Sequence, residues 1–355
     1  MTGAVLVDHG LVETRFSQIA QDEIIDHRLV RHIAQPHYGQ YIDVRVTSVF
    51  PGERQASGIS GPFSIILNAQ PGLHPGQKVL GRITRSAWAE PGRMKQAQAI
   101  MVDDPEHRLH TAKCSPLAEA QDALRQFVES GDCRVIPRDL HTALWVRKIC
   151  PSARIMDTDT SWLEAVVAKR DQWEDEAVTG RCAIADGWVT VERTRAMTVM
   201  DIDGVGHACA LAQRALSEIV RIVRVFDIGG RIAIDIPQLS DRKSRMELGR
   251  YFDELVLGAG LKGERSQISG FGLLVWNRPK IRASLQDILC GTELQNLSAE
   301  SRGCALIGQA LRMKPSQTLT LTADAQALRC WPLADQSVLK ALESRLHVPV
   351  KITTG

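Results

Sequence analysis

Three aspartates stand where carboxylate chemistry could be done. Asp201 and Asp203 close the segment Ala196-Met-Thr-Val-Met-Asp-Ile-Asp203, and Asp235 closes Arg231-Ile-Ala-Ile-Asp235. If both segments are strands, period-two alternation puts Asp201 and Asp203 on one side. Oxygen-rich side chains at one sheet edge suit Mg²⁺, a hard ion that takes one or two carboxylates and keeps waters for a substrate phosphate. Such a metal activates a water and offsets charge that builds on a phosphoryl group. The competing account is structural, because Asp is common in turns at strand ends. Asp235 argues against it. It follows an apolar run and precedes Ile236-Pro237, where an unpaired carboxylate is costly unless metal or donors satisfy it.

Elements of defined type must hold these acids. Gly187–Glu192 alternates as an antiparallel strand, and 196–203 reads as a strand buried on both faces. Gly204-Val-Gly206 breaks it. Ala208 to Phe226 is an amphipathic helix with Leu211, Ala215, Ile219 and Ile222 on its apolar stripe. Asp227-Ile-Gly-Gly230 ends the helix, and a second buried strand reaches Asp235. Strand, helix, strand at this length is a βαβ unit, so the two strands are expected to be parallel. Both acids then fall at the carboxyl edge, where diverging loops leave a crevice.

Upstream, residues 3–16 read as a hairpin turning at Asp8-His9-Gly10, followed by a helical stretch. Three alternating runs follow, Ile42–Val49, Phe63–Leu67 and Lys78–Thr84, broken by Gly and Pro. Their spacing suggests a small closed barrel, of which the OB-fold is one type. Arg45, Arg82 and Arg85 belong to the most basic part of the chain, and Tyr41, Phe50, Phe63 and Trp88 interleave with them. Base and aromatic together suit a surface for single-stranded nucleic acid. Taken alone, the aromatics fit a barrel core equally well. From 106 to 178 the pattern is helix and short strand, ending in the acidic run Asp171–Glu176, read as a solvated helix face or linker. After Cys290 come helix, strand, helix and strand, read as a small α/β appendage.

Composition sets outer limits. With 355 residues, two to four compact units are expected. A net charge of +2 does not by itself announce a nucleic-acid binder, since phosphate binding needs clustered base. The N-terminus does not read as a signal peptide, and no run approaches the roughly 20 apolar residues of a membrane helix. The eight cysteines include no C-x-x-C pair, which reads as reduced thiols of a cytoplasmic protein without a strong zinc site. His107 and His110 have helical spacing and read as solvated surface.

At the acids a resemblance becomes specific. Members of the ribonuclease E/G family carry a strand like "VIEPTEALTVIDINSG", then a helix, then "LGGLIVIDFIDM", then "GLLEMTRKR". This chain has Val191-Glu-Arg-Thr-Arg-Ala-Met-Thr-Val-Met-Asp-Ile-Asp-Gly204, then Phe226-Asp-Ile-Gly-Gly-Arg-Ile-Ala-Ile-Asp-Ile-Pro-Gln-Leu239, then Gln267-Ile-Ser-Gly-Phe-Gly-Leu-Leu-Val-Trp-Asn-Arg-Pro-Lys280. Ala4–Glu13, Val46–Gly52 and Leu109–Leu117 resemble other family segments less closely.

The resemblance implies an α/β, or α+β multidomain, fold. A ribonuclease H-like domain (1–38 and 106–178) is interrupted by an OB-fold RNA-binding barrel (39–105). A deoxyribonuclease I-like catalytic domain (179–289) and a small C-terminal α/β domain (290–355) follow. It implies Mg²⁺ held by Asp201 and Asp235, with Asp203 at the position of an asparagine that orients the scissile phosphate. The implied activity is internal cleavage of single-stranded RNA to 5′-phosphate and 3′-hydroxyl ends, in RNA processing or decay. Arg45, Phe63, Arg82 and Arg85 are the candidate RNA contacts.

Four departures are visible. Asp203 replaces the asparagine, and Val275 replaces the Glu of "GLLEMTR". The family's Cys-Pro-x-Cys zinc link is reduced to Cys290, so no structural zinc is expected, and any homo-oligomer would need another interface. A 5′-monophosphate sensor has no counterpart between the barrel and residue 180. The rival reading from another class is an RNA-binding protein of the same fold without turnover, favoured by Asp203 and Val275. A third, an unrelated metal-dependent phosphoesterase, needs the acids but makes no demand on the barrel.

Overall fold

The computed structural model describes residues 3–50, 54–68, 72–103, 114–129, 133–237, 239, 241–313 and 315–354. His107 and His110 lie outside them, as does most of the Leu109–Leu117 segment. The chain opens with strands β1 (Ala4–His9), β2 (Glu13–Ala20) and β3 (Glu23–Arg31). Then come β4 (Tyr41–Val49), β5 (Gln55–Ser60), β6 (Phe63–Asn68), β7 (Lys78–Arg85), the hairpin β8 (Trp88–Glu90) and β9 (Arg93–Lys95), and β10 (Ala97–Met101). A mixed segment follows: α1 (Ala118–Glu129), β11 (Arg134–Pro137), α2 (Leu140–Ile149), β12 (Arg154–Ile155) and α3 (Thr160–Thr179). The next stretch is β13 (Arg181–Ile184), β14 (Gly187–Arg193), β15 (Thr198–Gly204), α4 (Ala208–Val225), β16 (Gly230–Asp235), α5 (Arg242–Gly258), β17 (Glu264–Arg265), β18 (Leu273–Arg278) and α6 (Leu285–Cys290). The chain closes with α7 (Ala299–Arg312), β19 (Leu319–Ala323), α8 (Gln336–Leu346) and β20 (Val350–Thr354). Among the described residues no helix is long and apolar enough to cross a membrane.

These elements form two compact units. The first holds residues 1–32, 119–179 and 288–355, and the second holds 33–118 and 180–287. In the first unit the sheet order is β12-β11-β1-β2-β3, with β1, β11 and β12 parallel and the β1–β2–β3 pairs antiparallel. Val5, Val7, Phe16 and Val30 pack with Leu124 of α1 and Val146 of α2, while Leu6 and Ile19 pack with Val166 of α3. Both faces are thus covered. The C-terminal segment builds its core around Ile307, Leu319, Leu321 and Leu342, and that core takes in Val12 from the β1–β2 turn.

The helical reading after residue 16 is corrected to the strands β2 and β3. The cause is chemical. Thr14, Ser17, His27 and His32 are buried polar residues, paired as His9–Thr14 (2.8 Å), Thr14–His32 (2.8 Å) and Ser17–His27 (2.9 Å). Buried polar pairs erase the apolar alternation that announces a strand. The acidic run Asp171–Glu176 is corrected in part, because it lies within α3 and Glu174 turns inward. Its carboxylate accepts from the Arg15 Nε at 2.7 Å and approaches the His27 ring at 3.3 Å.

The second unit contains a closed five-stranded barrel, β10-β6-β5-β4-β7, around Val44, Leu67 and Ile83. Sequence patterning marked three of the five strands. β5 was hidden partly by Gly58, where a Cβ would collide with the Val44 side chain and approach the Arg45 carbonyl oxygen at 3.0 Å. The same unit holds a six-stranded sheet, β13-β14-β15-β16-β18-β17. β15 and β16 are parallel, as expected of a βαβ unit, and the remaining pairs are antiparallel. Met200, Ile202, Ile232, Ile234, Leu274 and Trp276 are buried on one side, with the α4 residues Leu211, Ala215 and Ile219 buried as well. Phe252 of α5 meets Trp276 edge-on at 5.2 Å.

The other side of this sheet is open at Asp201, Asp203 and Asp235, with Ala233 buried on that side, which corrects two expectations. β15 is not buried on both faces: Met200 and Ile202 are buried while Asp201 and Asp203 are exposed. β16 likewise ends on an exposed Asp235. The cost of burying an unpaired carboxylate is therefore no argument for a metal at this position.

Candidate functional site

The turn that ends β15 is built on close approach. A Cβ at Gly204 would lie 2.7 Å from the Asp186 carbonyl oxygen, and Gly206 has φ +113°, a conformation that glycine adopts freely. The entry to β16 has a comparable basis. Asp227 adopts φ 49°, and its carboxylate accepts from Arg278 at 3.0 Å and pairs with Arg282 at 2.6 Å. A Cβ at Gly229 would meet the Pro279 carbonyl oxygen at 2.7 Å.

Between these turns the pairing register of β15 and β16 sets Asp201 directly against Asp235. Neighbouring strands lie about 4.8 Å apart, so the two carboxylates leave adjacent backbones on the same open face. Thr190 of β14 flanks Asp201, and Leu273 of β18 flanks Asp235. Asp203 shares the face but stands two residues further along and opposite Trp188. The Trp188 indole N–H donates to the Asp203 carboxylate at 3.0 Å. The Arg181 guanidinium lies 4.1 Å from the centre of the Trp188 ring. An indole can only donate, so position 203 must present an acceptor, which a carboxylate or an amide oxygen both supply.

Partial burial raises the Asp201 carboxyl above its ordinary value, and the negative charges of Asp203, Asp235 and Glu192 push the same way. The structure thus leaves acids facing acids. Among the described residues no three His, Cys, Asp or Glu side chains converge as a full metal-ligand set. Two side-by-side carboxylates fit a hard cation that completes its shell with water, and do not fit zinc, which wants four protein ligands or three and a water. Asp201 and Asp235 would hold such an ion, with Asp203 beside it. Cys290 is buried.

On the barrel, Arg45 and Arg82 are exposed and share the outer face of β4 and β7, where Arg45 is opposite Lys78 and Tyr41 opposite Arg82. Phe63 is half-buried against the barrel core, and Trp88 is buried. Phe50 is the exposed one of the four aromatics read as interleaved. Arg85 lies apart from Arg45 and Arg82, 5.2 Å from the Trp88 ring, and donates to the Gln96 carbonyl oxygen. The four candidate RNA contacts therefore do not form one patch.

Three features were missed from the sequence. Trp188, 37 % exposed, has the parity of the polar positions Thr190 and Glu192, and that parity was the available signal. Phe271, 93 % exposed, precedes Gly272, where a Cβ would approach the Asp235 carboxylate at 3.7 Å. Glu192, which acts on Asp201, carried no signal in spacing alone. No protein-family model matches the chain, and no curated protein does.

Proposed function

We propose that the chain is a Mg²⁺-dependent endoribonuclease of the ribonuclease E/G type, cleaving single-stranded RNA to 5′-phosphate and 3′-hydroxyl ends in cytoplasmic RNA processing or decay. The observation that carries this reading is the parallel register of Asp201 with Asp235 at the ends of β15 and β16. The sheet order of the first unit is in keeping with a ribonuclease H-like fold. The closed barrel is in keeping with an OB-type module, and the six-stranded sheet under α4 and α5 with a deoxyribonuclease I-like one. These are the folds the sequence motifs imply.

When bound, Mg²⁺ supplies Lewis acidity toward a phosphoryl oxygen and an activated water. The chain's own residues do the rest. Asp201 and Asp235 offer adjacent oxygens on a rigid pair of strands, so little reorganisation is needed to engage the ion. Partial burial raises Asp201 first, and the repulsion of Asp203, Asp235 and Glu192 adds to it; both disfavour the empty, fully ionised site and so favour cation binding. Asp203 is positioned by Trp188 and keeps a second oxygen for the site. Arg45 and Arg82 supply phosphate contacts from the barrel face.

The rival, an RNA-binding protein without turnover, draws support from that same Trp188–Asp203 hydrogen bond, which gives Asp203 a structural partner. End-labelled single-stranded RNA incubated with Mg²⁺ or with EDTA decides between them. Metal-dependent internal cuts with 5′-phosphate ends support the enzyme, and stable binding without cuts supports the rival.

A further inference from the structure

At the opposite end of the same strands lies a second concentration of charge, of the other sign. A cavity of about 170 Å³ opens beside Thr198 of β15 and Gly230–Arg231 of β16, bordered by the β8–β9 hairpin and the segment around Lys280. Six cationic side chains and two carboxylates line it. The carboxylates are already engaged: Glu90 pairs with Arg93 and Lys95, and Asp287 pairs with Arg193 and Lys280. Among the described residues neither Arg195 nor Arg231 has a carboxylate partner. The Arg85 Nε is buried and has no hydrogen-bond partner among the described residues. Arg85, Lys95 and Lys280 lie 5.2, 5.8 and 4.9 Å from the centre of the one Trp88 ring. Cations gathered this closely repel one another, and burial holds the Arg85 guanidinium below its ordinary value. An anion relieves both costs.

The position of the pocket says which anion. Arg231 and Asp235 share a strand and are both exposed, and alternation sends positions 231, 233 and 235 to one face. Four residues of strand separate them by roughly 13 Å. A basic pocket and an acidic pair at that separation on one face suit a ligand with phosphates in series. We propose that this pocket is a phosphate-binding subsite, holding a backbone phosphate of the RNA strand at a fixed distance from the one engaged at Asp201 and Asp235. The proposal rests on the nuclease reading for the identity of the strand, and its own chemistry is phosphate recognition by Arg195, Arg231 and Arg85.

The test uses the full chain, with 3′-labelled oligoribonucleotides bearing a 5′-hydroxyl, bound in Ca²⁺, a hard cation that supplies the acidic pair and so fixes the register of the strand. Each linkage in turn is made a neutral methylphosphonate. In the wild-type protein one linkage position should weaken binding by about fivefold, the loss of one charge-assisted phosphate contact. In the Arg195→Gln/Arg231→Gln variant the all-phosphate RNA should bind weaker by a similar factor, and that linkage should no longer matter. A walk that is flat in the wild-type protein overturns the subsite, and so does unchanged binding in the variant. An affinity gain that comes only from adding a 5′-phosphate also overturns it, because the pocket would then read a chain end. The same RNAs incubated with Mg²⁺ separate this proposal from the nuclease reading. Cuts with a flat walk overturn the pocket alone, and a position-specific walk without cuts overturns the nuclease alone.

Discussion

The two sheets of this protein treat their acids in opposite ways. In the first unit Glu174 meets Arg15 at 2.7 Å and His27 at 3.3 Å, and Glu13 meets Arg15 at 3.1 Å and Arg31 at 3.4 Å. Burial alone would raise the Glu174 carboxyl, yet Arg15 and His27 hold it well below the usual carboxylate range. In the second unit Asp201 faces Asp203, Asp235 and Glu192, and its carboxyl is raised. One set of acids is satisfied by cations of the fold, while among the described residues Asp201 and Asp235 face other acids and Asp203 has the Trp188 N–H. On the proposed function, that asymmetry separates carboxylates that hold a sheet together from carboxylates that would serve a ligand.

The contrast can be broken most forcefully at Glu174. Glu174→Ala leaves Arg15 with Glu13 as its remaining carboxylate and the His27 ring with Ser17 as its remaining partner, at a cost of up to roughly 3 kcal/mol for a largely buried pair. A urea unfolding series should show the loss, and an unchanged midpoint would mean that this pairing is not structural. Acid should act on the same unit. Burial, with His32, His141 and Arg345 nearby, depresses the His9 imidazole from 6.5 to about 3, and burial also lowers His27 and His32. The unfolded chain then binds more protons than the folded one below about pH 6.5, so stability is full above that value and falls toward pH 3. At pH 5, His9 alone accounts for about 2 kcal/mol of loss. Unfolding midpoints that match at pH 7.5 and pH 5 would contradict this. The smallest effect is predicted at the open sheet and has the opposite sign. Asp201→Asn removes one of four mutually repelling charges and should raise metal-free stability, by under about 1 kcal/mol at an exposed site. A marked destabilisation would show that Asp201 has a structural role.

How much was legible follows the same division. The βαβ unit could be read because its strands are apolar on the packed side and its helix carries Leu211, Ala215 and Ile219 at regular spacing. The parallel pairing that brings Asp201 and Asp235 to one sheet edge follows from that unit, and the structure supplies their register. The β2–β3 pair was lost because Thr14, Ser17 and His27 are buried where apolar residues usually stand. The Trp188–Asp203 contact and the basic pocket beside Arg231 depend on cross-strand register and on segments far apart in sequence, which spacing does not encode. The open face of β15 and β16 was misread as buried because Val199 and Ala233, which share the parity of Asp201 and Asp235, are apolar too.

On the proposed function, Asp201 and Asp235 act together on a metal that serves the reacting phosphate, while RNA is held elsewhere. The most direct test measures wild type, Asp201→Ala and Asp235→Ala in parallel, reading cleavage of single-stranded RNA in Mg²⁺ and affinity for the same RNA in EDTA. Cleavage should fall to background in both variants, with affinity changed by less than about twofold, because most affinity comes from phosphate contacts outside the acidic pair. Wild-type turnover in either variant would contradict the account.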